Sequence, residues 1–589
     1  MISEMSKEKS CLILDADHNS LTTNFKKIYL GYWCLENYNN SFKELDNFNV
    51  INSKSRDEKE IEIDIKEIKK IYNSLITELS YFLNKFHNKQ LSVKYWEIII
   101  GPWLKIFLTI VKERFSSLNI AIKNYDINEV ALTDFNDEDF YVHNVDDFEE
   151  KASKNINGWN SMLYAKIIKV LNYNFKILTL ESKRTESRKK GINLKKKILK
   201  FFDVFNYFNK KSKYFIYSSG LKFFDTIKLQ LHLKQFPSIF LKDEYKKKKI
   251  DLNLRKDLSN IFNKTSANDY EKLVRSLISD LIPTDVLENF KELEKKSHKL
   301  NWPENPDKIF TSTGYHSDEI FKIYLANKVE KGSKYIVSQH GAQFTHKNNF
   351  IELGYDKSHS FFSWGDLQKK KCVPLFNIKN IELNKINTIS KGKKLFFFMP
   401  KMSKQRKRMY DDYGQMIRDN ISVEKILFNL SNKIKNSCIL KLYPNEDGYK
   451  KLENKILKEI IFKRQKFSID RITPKKKIFE NSKLILNYSD GTSFLETISS
   501  DVPTIIFLPN LNWINIDAKR DYEKLLESKI LFNNEKQMSK HINNIFNDVS
   551  SWWNNSRVKK CKSNFEKKYS QRPIKNALSF LANEIEKVI

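Results

Sequence analysis

The stretch KLILNYSDGTSFLETISSDVPTIIFLP, residues 483–509, decides the fold class of this chain. Its two ends, KLILNYS and PTIIFLP, have the length and apolar content of buried strands. The segment SFLETISS between them has the length and apolar spacing of a short helix. A strand, a crossover helix and a second strand predict two parallel neighbours in one sheet.

The same alternation continues upstream of this stretch. Apolar runs at 393–400 and 438–444 predict two further strands, and helical patterns stand between them. IFTST (309–313) and KYIVSQHG (334–341) predict strands around another helix. Together these elements predict doubly wound parallel sheets in an α/β protein.

The first half of the chain is richer in helical patterns. Residues 8–30 predict two strands, and residues 61–117 predict helices, with Pro102 in the first turn of a new one. The acidic residues 125–150 predict a connection, and the last 50 residues predict helices that pack back on the body.

Glycines indicate where a ligand site lies. Of the 14 glycines, nine fall between residues 314 and 491. In a chain so poor in glycine, those present are expected at special backbone angles or beside a ligand. We therefore expect the site in this half.

Length and charge limit the class of protein. The chain has 589 residues, which predicts two or three domains, and a net charge of +32 that comes from 90 lysines and only 14 arginines. Nucleic-acid readers rely on arginine, and no zinc knuckle or helix-turn-helix pattern is present. We expect no nucleic-acid partner. The charge leaves open a solvated lysine surface or attraction to other polyanions.

The five cysteines are widely spaced and include no CxxC pair, which favours a reducing cytosol over a disulfide framework. The charged N-terminus has no signal-peptide core, and the most apolar stretch, 96–111, is too short and too interrupted to span a bilayer. The sequence therefore predicts a cytoplasmic protein. No metal site and no cofactor are predicted.

The strongest candidate site is the loop that follows the strand at 483–489. Gly491 lets the backbone approach a ligand, and Thr492 and Ser493 offer hydroxyls and free N–H groups for a phosphate. Ser489 begins the loop, and Glu496 stands one turn into the helix, where a carboxylate can accept ribose hydroxyls. The alternative is a capping box formed by Ser493 and Glu496.

A second candidate is Gln339-His340-Gly341, at the carboxyl end of a predicted strand, where open α/β sheets bind their ligands. His340 could act as a general base or as a phosphate donor, or it could simply be bonded within its loop. The preceding strand ends in polar residues that could converge on the same cleft, namely Thr313, Gly314 and His316.

Lys441 is a third candidate. It lies at the end of the strand LKLYP, where a buried ammonium group is costly unless it meets a negative charge such as a nucleotide phosphate. The alternative is a lysine on an edge strand that reaches solvent.

Several segments occur in an order that resembles a known family. They are LGYWC (30–34), KYWEIIIGPWL (94–104), Trp159-Asn160, SQHGAQF (338–344), FFSWGD (361–366), LKLYP and NYSDGTSFLET. The chain resembles the sugar transferases encoded in bacterial surface-polysaccharide gene clusters. That family is similar to GT-B glycosyltransferases, near the capsular ulosonic-acid transferases and the glycerophosphate polymerases.

The resemblance implies two Rossmann-like domains that face each other across a cleft, with a helix-rich N-terminal domain. The implied map is an acceptor-side domain at 1–385, a nucleotide-sugar donor domain at 386–545, and returning helices at 546–589. Ser489 to Glu496 and Lys441 would bind the donor, whereas His340 and Gln339 would be catalytic.

The implied function is metal-independent transfer of a sugar, for which a CMP-activated ulosonic acid is the first candidate. The acceptor would be a surface polysaccharide or its lipid-linked precursor. A polyol- or glycerol-phosphate transferase of the same fold is the alternative, and a basic nucleic-acid-binding protein is a remote one.

A lipid-linked acceptor would bring the enzyme to the inner face of the cell membrane without spanning it. Lysine runs at 189–202 and 243–256 border apolar residues and could bind an anionic leaflet. The alternative is ordinary solvated surface.

Overall fold

The described residues form three parallel sheets with helices packed around them. The computed structural model describes residues 8–14, 21–35, 48–51, 57–154, 158–180, 202–263, 266–342, 344–347, 352–385, 392–399, 415–443 and 450–589. Within these ranges every strand pairing inside the sheets is parallel, and helices connect most of the strands. The predicted α/β class with Rossmann-like parallel sheets is therefore confirmed.

The first sheet has the strand order β3-β2-β1-β4-β5. Its strands are β1 (Lys9–Ile13), β2 (Lys26–Tyr29), β3 (Asn49–Val50), β4 (Asp126–Thr133) and β5 (Lys176–Leu180). The predicted strands within residues 8–30 are thus present. The prediction of a connection over 125–150 is wrong for its first part, because β4 lies inside the sheet between β1 and β5. Its acidic Glu129 accepts hydrogen bonds from Thr23 and Lys176 at 2.7 and 2.9 Å.

Two long helices pack against each other beside this sheet. Helix α1 (Glu58–His87) places isoleucines and leucines at three- and four-residue spacing on its buried face, and ends at Asn88 in the left-handed conformation. Helix α2 (Val93–Asn124) begins at Ser92, whose hydroxyl accepts the N–H of Tyr95. Pro102 lies inside α2, so the prediction of a new helix starting there is wrong. Pro102 and its neighbours from Tyr95 to Leu104 are buried, and packing outweighs the lost hydrogen bond.

The second sheet has the order β10-β9-β8-β7-β6. Its strands are β6 (Tyr214–Ile216), β7 (Lys308–Thr311), β8 (Lys334–Ser338), β9 (Ser360–Ser363) and β10 (Cys372–Pro374). The predicted strands at 309–313 and 334–341 correspond to β7 and β8. The loops that follow their carboxyl ends carry Thr313 and His340.

The third sheet has the order β13-β12-β11-β14-β15-β16. Its strands are β11 (Lys394–Phe398), β12 (Cys438–Lys441), β13 (Ser468–Asp470), β14 (Ser482–Tyr488), β15 (Thr504–Phe507) and β16 (Leu531–Phe532). Four of these were predicted from their apolar runs. The stretch at 483–509 forms β14, a helix and β15, which pair as parallel neighbours.

The remaining helices cover the sheets. They are α3 (Val145–Lys154), α4 (Trp159–Val170), α5 (Phe223–His232), α6 (Leu252–Phe262), α7 (Asp269–Leu281), α8 (Phe290–Lys299), α9 (Gly314–Ser317), α10 (Glu319–Glu330), α11 (Leu353–Lys357), α12 (Gln415–Phe428), α13 (Asn432–Ser437), α14 (Lys450–Ile456), α15 (Lys475–Asn481), α16 (Thr492–Ser499), α17 (Ile516–Glu527), α18 (Glu535–Ile545), α19 (Val549–Asn554), α20 (Ser556–Tyr569) and α21 (Ala577–Lys587). In the described ranges, no helix has the length and apolar content needed to cross a membrane.

The C-terminal helices return to the second sheet. The backbone of α20 contacts Gly365, where a Cβ would come within 2.6 Å of the carbonyl of Lys568. Gln571 N–H donates to the carbonyl of Trp364, and Asn377 N–H donates to that of Gln571. Glycine at 365 is required by this close approach of two backbones.

The first sheet is the part of the architecture that goes beyond the sequence prediction. Residues before 386 contain two five-stranded sheets, whereas the sequence predicts one domain enlarged by helices. The strands β1 to β3 are short and separated by long polar segments, so periodicity did not define them as a sheet.

Candidate functional site

The carboxyl ends of the second and third sheets meet. The loop after β8 carries Gly341, and the loop after β14 leads into α16 at Thr492. A Cβ on Gly341 would lie 2.8 Å from the hydroxyl oxygen of Thr492. The two strand-end loops singled out from the sequence are therefore in direct contact, from opposite sheets.

A buried carboxylate joins these loops. Asp490 is 2% exposed, and its Oδ2 accepts hydrogen bonds from His346 Nε2 at 2.7 Å and from the Tyr522 hydroxyl at 2.6 Å. Burial acts to raise the pKa of Asp490, but the charge and hydrogen bond of His346 and the hydrogen bond of Tyr522 hold it below its ordinary value. Asp490 thus connects a loop of the second sheet to the core of the third.

Backbone hydrogen bonds reinforce this connection. The N–H of Lys347 donates to the carbonyl of Trp513 at 2.8 Å, and the N–H of Asn515 donates to the carbonyl of Thr345 at 2.8 Å. The ammonium group of Lys347 pairs with Glu58 at the start of α1. The segment after β15 and the start of α1 therefore both contribute to the position of the loop at 344–347.

Gln339 maintains the shape of its own loop. Its side chain is 3% exposed; the amide nitrogen donates to the carbonyl of Gly341 at 2.7 Å, and the amide oxygen accepts the N–H of Trp364 at 2.8 Å. Both ends of the amide are therefore used inside the protein. The geometry makes Gln339 a positioning residue, although the sequence placed it among the catalytic ones.

His340 is accessible to solvent at the cleft. Partial burial of its ring, together with the nearby charges of Lys379 and His316, lowers its pKa to about 4. The imidazole is accordingly neutral at physiological pH and able to accept a proton. An anion bound beside Lys379 would raise this pKa, because it would offset the positive charge.

The turn from β14 into α16 is strained and open. Ser489 has a φ of 133°, a region that favours glycine, which is the kind of strain that clusters at ligand sites. Gly491 is the N-cap of α16, and no side chain caps the helix. The hydroxyl of Ser493 instead donates to Asn487 at 2.8 Å. The capping box that the sequence left as an alternative is not formed.

Glu496 stands among lysines. It forms a 2.9 Å ion pair with Lys475 at the start of α15, and its charge also acts on Lys379. Burial lowers the pKa of Lys379, and Lys475 lowers it further. This group of one carboxylate and two ammonium groups lies next to the first turn of α16, so the region has an excess of positive charge.

Lys441 does not belong to this group. Strand β13 lies outside β12, and Lys441 forms a 2.7 Å ion pair with its register neighbour Asp470. Two strand spacings, about 10 Å, separate Lys441 from Asn487 in the sheet. The expected contact of Lys441 with a donor phosphate has no support in this geometry, because its charge is already neutralised.

The loop after β7 contributes three candidate residues. The hydroxyl of Thr313 is hydrogen-bonded to Ser218 at 2.7 Å. Gly314 is buried, and a Cβ there would come within 2.8 Å of the ring of Tyr217. The ring of His316 lies 3.5 Å from Glu149 and acts on the pKa of His340. His316 therefore shares the cleft with His340, while Gly314 is required for packing.

Residues 400–414, which follow β11, and residues 444–449, which follow β12, lie outside the described residues. Within the described ranges, no three His, Cys, Asp or Glu side chains gather in a way that could hold a metal ion.

Three residues of the site were not found from the sequence. His346 follows His340 by six residues, but nothing in its spacing pairs it with Asp490. Lys379 and Lys475 lie in lysine-rich segments where no single lysine stands out. Only the packing of the two sheets brings these side chains to the loop at 489–496.

The sequence matches the model of one protein family over almost its whole length. A family model described as the LIC12162 family transferase matches residues 10–585. The chain belongs to the LIC12162 family of transferases. The prediction of a transferase is thereby confirmed. No curated protein sequence matches the chain.

Remote likenesses to solved structures accompany the family match. A protein described as a UDP-N-acetylglucosamine 2-epimerase from Listeria monocytogenes matches with 12% identity and a TM-score of 0.35, over 63% of this chain and 94% of that one. The N-terminal domain of Candida albicans trehalose-6-phosphate phosphatase matches with 10% identity and a TM-score of 0.25, over 66% and 94%. Both are too distant to bear on function.

The Asp490 connection makes a first prediction. Asp490→Ala leaves two buried donors without an acceptor, so the free energy of unfolding should fall by about 3 kcal/mol. Urea unfolding of the full chain measures this loss. The control, Asp257→Ala on the exposed face of α6, should stay within about 0.5 kcal/mol of the unsubstituted protein. Equal effects of the two substitutions would contradict the proposed importance of Asp490.

The contact between the loops makes a second prediction. Gly341→Ala places a methyl group against Thr492 and should destabilise the protein by about 1–3 kcal/mol. Thr492→Ala makes room for that methyl group. The double variant should therefore lose less stability than the sum of the two single variants, by more than about 0.5 kcal/mol. Additive losses would mean that the loops are not in contact.

The electrostatics of the cleft make a third prediction. An NMR titration of the His340 ring should have its midpoint near pH 4. In the unfolded chain the pKa of this ring is about 6.5, so the unfolded chain takes up the proton more readily than the folded one. The contribution of His340 to the free energy of unfolding should therefore fall as the pH falls from about 6.5 toward 4. Lys379→Gln should raise the midpoint.

His359 supplies the internal control for that titration. Burial lowers its pKa to about 4, with help from Lys94, Lys334 and Lys371 rather than from Lys379. Its midpoint should not move in Lys379→Gln. A His340 midpoint that is unchanged in that variant would contradict the assigned electrostatics.

Proposed function

We propose that this transferase moves a sugar from a nucleotide-activated donor to a surface polysaccharide or its lipid-linked precursor. The observation that carries the proposal is the contact between the Gly341 loop and the first turn of α16. It supports the proposal because it brings the loop of His340 to a helix N-terminus that no side chain caps, and such an N-terminus suits a phosphate.

In this scheme the donor phosphate binds at the first turn of α16. The N–H groups of Thr492 and Ser493 stabilise the negative charge that develops on the leaving nucleotide, and the ammonium group of Lys475 adds to this effect. Glu496, held by Lys475, accepts hydrogen bonds from the ribose hydroxyls. Lys475 therefore takes the role that the sequence gave to Lys441.

His340 acts on the acceptor in the same scheme. The neutral ring takes the proton of the acceptor hydroxyl as that oxygen attacks the anomeric carbon and the bond to the donor phosphate breaks. The bound donor phosphate offsets the charge of Lys379, which raises the pKa of His340 toward the range in which a base is effective. Gln339 and Asp490 hold the loops that carry these groups.

The donor and the location follow from the family resemblance. A CMP-activated ulosonic acid is the first donor to test, and the reaction would take place on the cytoplasmic face of the membrane, where lipid-linked glycans are assembled. A polyol- or glycerol-phosphate transferase would use the same phosphate site. Only that enzyme would leave a phosphodiester in the product, which analysis of the glycan would reveal.

Nucleotide binding tests the proposal. In thermal-shift titrations with CMP, UDP, GDP and inorganic phosphate, at least one nucleotide should stabilise the full chain. Lys475→Gln should lower the affinity of the protein for that nucleotide about tenfold, because it removes a charged hydrogen-bond donor worth about 1.4 kcal/mol.

Lys441→Gln is the matched control, because the ammonium group of Lys441 is already bound to Asp470. The affinity of the Lys441→Gln variant for the nucleotide should stay within twofold of that of the unsubstituted protein. If Lys441→Gln lowers the nucleotide affinity and Lys475→Gln does not, the assigned donor site is wrong. Failure of every nucleotide to stabilise the chain would overturn the proposed function.

A further inference from the structure

Large apolar side chains are exposed on the segments that flank β6, at the edge of the second sheet. Seven of them fall within the 32 residues from 205 to 236, and each exposes more than 40% of its surface. They are Phe205, Tyr207, Phe208, Phe223, Phe224, Leu231 and Phe236, and we call them the aromatic face. Apolar side chains gathered in this way mark a surface that contacts something other than water.

Hydrogen bonds to one segment join the two helices that carry most of these side chains. From the 3₁₀ helix Phe202–Asn209, Asn209 Nδ2 donates to the carbonyl of Phe236 at 2.9 Å. From α5, Gln230 Nε2 donates to the carbonyl of Ser238 at 3.1 Å. The rings of Phe208 and Phe236 lie 5.1 Å apart. The two helices are thereby fixed side by side around residues 236–238.

Lysines accompany the aromatic face. Residues 205–236 contain six lysines and a single acidic residue, Asp225. On α5, Phe224, Lys228 and Leu231 are exposed at four- and three-residue spacing, so they lie on one face of the helix. Apolar side chains with lysines around them are typical of helices that lie in the interface of an anionic bilayer.

The aromatic face lies beside the cleft. Helix α5 begins directly after the loop that carries Ser218, whose hydroxyl is hydrogen-bonded to Thr313 at 2.7 Å. Lys222, at the N-cap of α5, is paired with Glu382, in the same 3₁₀ segment as Lys379. A lipid whose head group extends from a leaflet held at this face would therefore be close to His316 and His340.

We propose that the aromatic face docks the protein on the surface of an anionic phospholipid leaflet. The phenylalanine rings enter the boundary between head groups and acyl chains, and the lysines contact the lipid phosphates. A second copy of the chain is the less suitable occupant, because two such faces carry the same positive charge and repel each other. That the leaflet also presents the acceptor rests on the proposed function; the docking itself does not.

This surface differs from the lysine runs that the sequence singled out. Lys246 to Lys249 are exposed, but no exposed aromatic side chain accompanies them. Lys195 to Lys197, in the other run, lie outside the described residues. The two accounts predict different variants to be decisive, so one experiment separates them.

Co-sedimentation with lipid vesicles tests the proposal. The full chain is mixed with vesicles of phosphatidylcholine alone or with one quarter phosphatidylglycerol. We expect binding to the anionic vesicles that weakens as salt rises. Phe208→Ser/Phe224→Ser should lower the partition coefficient at least tenfold, whereas Tyr81→Ser, an equally exposed ring on α1, should not change it.

The remaining arms give each outcome a meaning. Replacement of four lysines by Gln should reduce binding to the anionic vesicles less than Phe208→Ser/Phe224→Ser does. The four are Lys246, Lys247, Lys248 and Lys249. Nucleotide affinity should be the same in Phe208→Ser/Phe224→Ser as in the unsubstituted chain, which also shows that the variant is folded and separates this proposal from the donor site.

Three results would overturn the docking proposal. One is the absence of binding to anionic vesicles. Another is binding that the loss of the two rings leaves unchanged, or that the four lysine substitutions alone abolish. The third is a dimer in solution, seen by sedimentation velocity, that the ring substitutions dissociate while vesicle binding persists; the face would then be an interface between copies of the chain.

Discussion

The buried carboxylate of Asp490 is the contact on which the geometry of the cleft depends. It accepts hydrogen bonds from His346, in a loop of the second sheet, and from Tyr522, in the core of the third. A charge at 2% exposure is stable only while both donors stay in place. The relative position of the two sheets is therefore fixed at the point where Gly341 meets Thr492, and the chemistry of the site follows from that position.

Charge is distributed so that this junction can receive an anion. Lys379 and Lys475 face a single carboxylate, Glu496, beside a helix N-terminus that no side chain caps. Partial burial of the ring, to which the charge of Lys379 adds, keeps His340 neutral. A phosphate bound there would interact favourably with Lys379, Lys475 and the N-terminus of α16, which supports the proposed phosphate-bearing donor.

The sequence predicted β7 and β8 of the second sheet and four strands of the third, because their apolar runs are bounded by turns and separated by helical patterns. It located the strand-end loops of His340 and Gly491 for the same reason. It could not pair His346 with Asp490, 144 residues apart, because that contact depends on how two sheets pack. The ion pair of Lys441 with Asp470 was not predicted, because the short strand β13, which supplies Asp470, has little apolar content. The first sheet was not predicted as a unit, because only β1 and β2 were predicted as strands and the acidic segment that contains β4 was predicted as a connection.

The central claim is that the junction of the two loops binds the donor phosphate, and a crystal structure of the full chain with the nucleotide that binds it best would test this most directly. We expect a phosphate oxygen within hydrogen-bond distance of the N–H groups of Thr492 or Ser493, with Lys475 Nζ in contact and His340 on the opposite side. A nucleotide bound with its phosphate against Lys441, or anywhere away from the first turn of α16, would contradict the account.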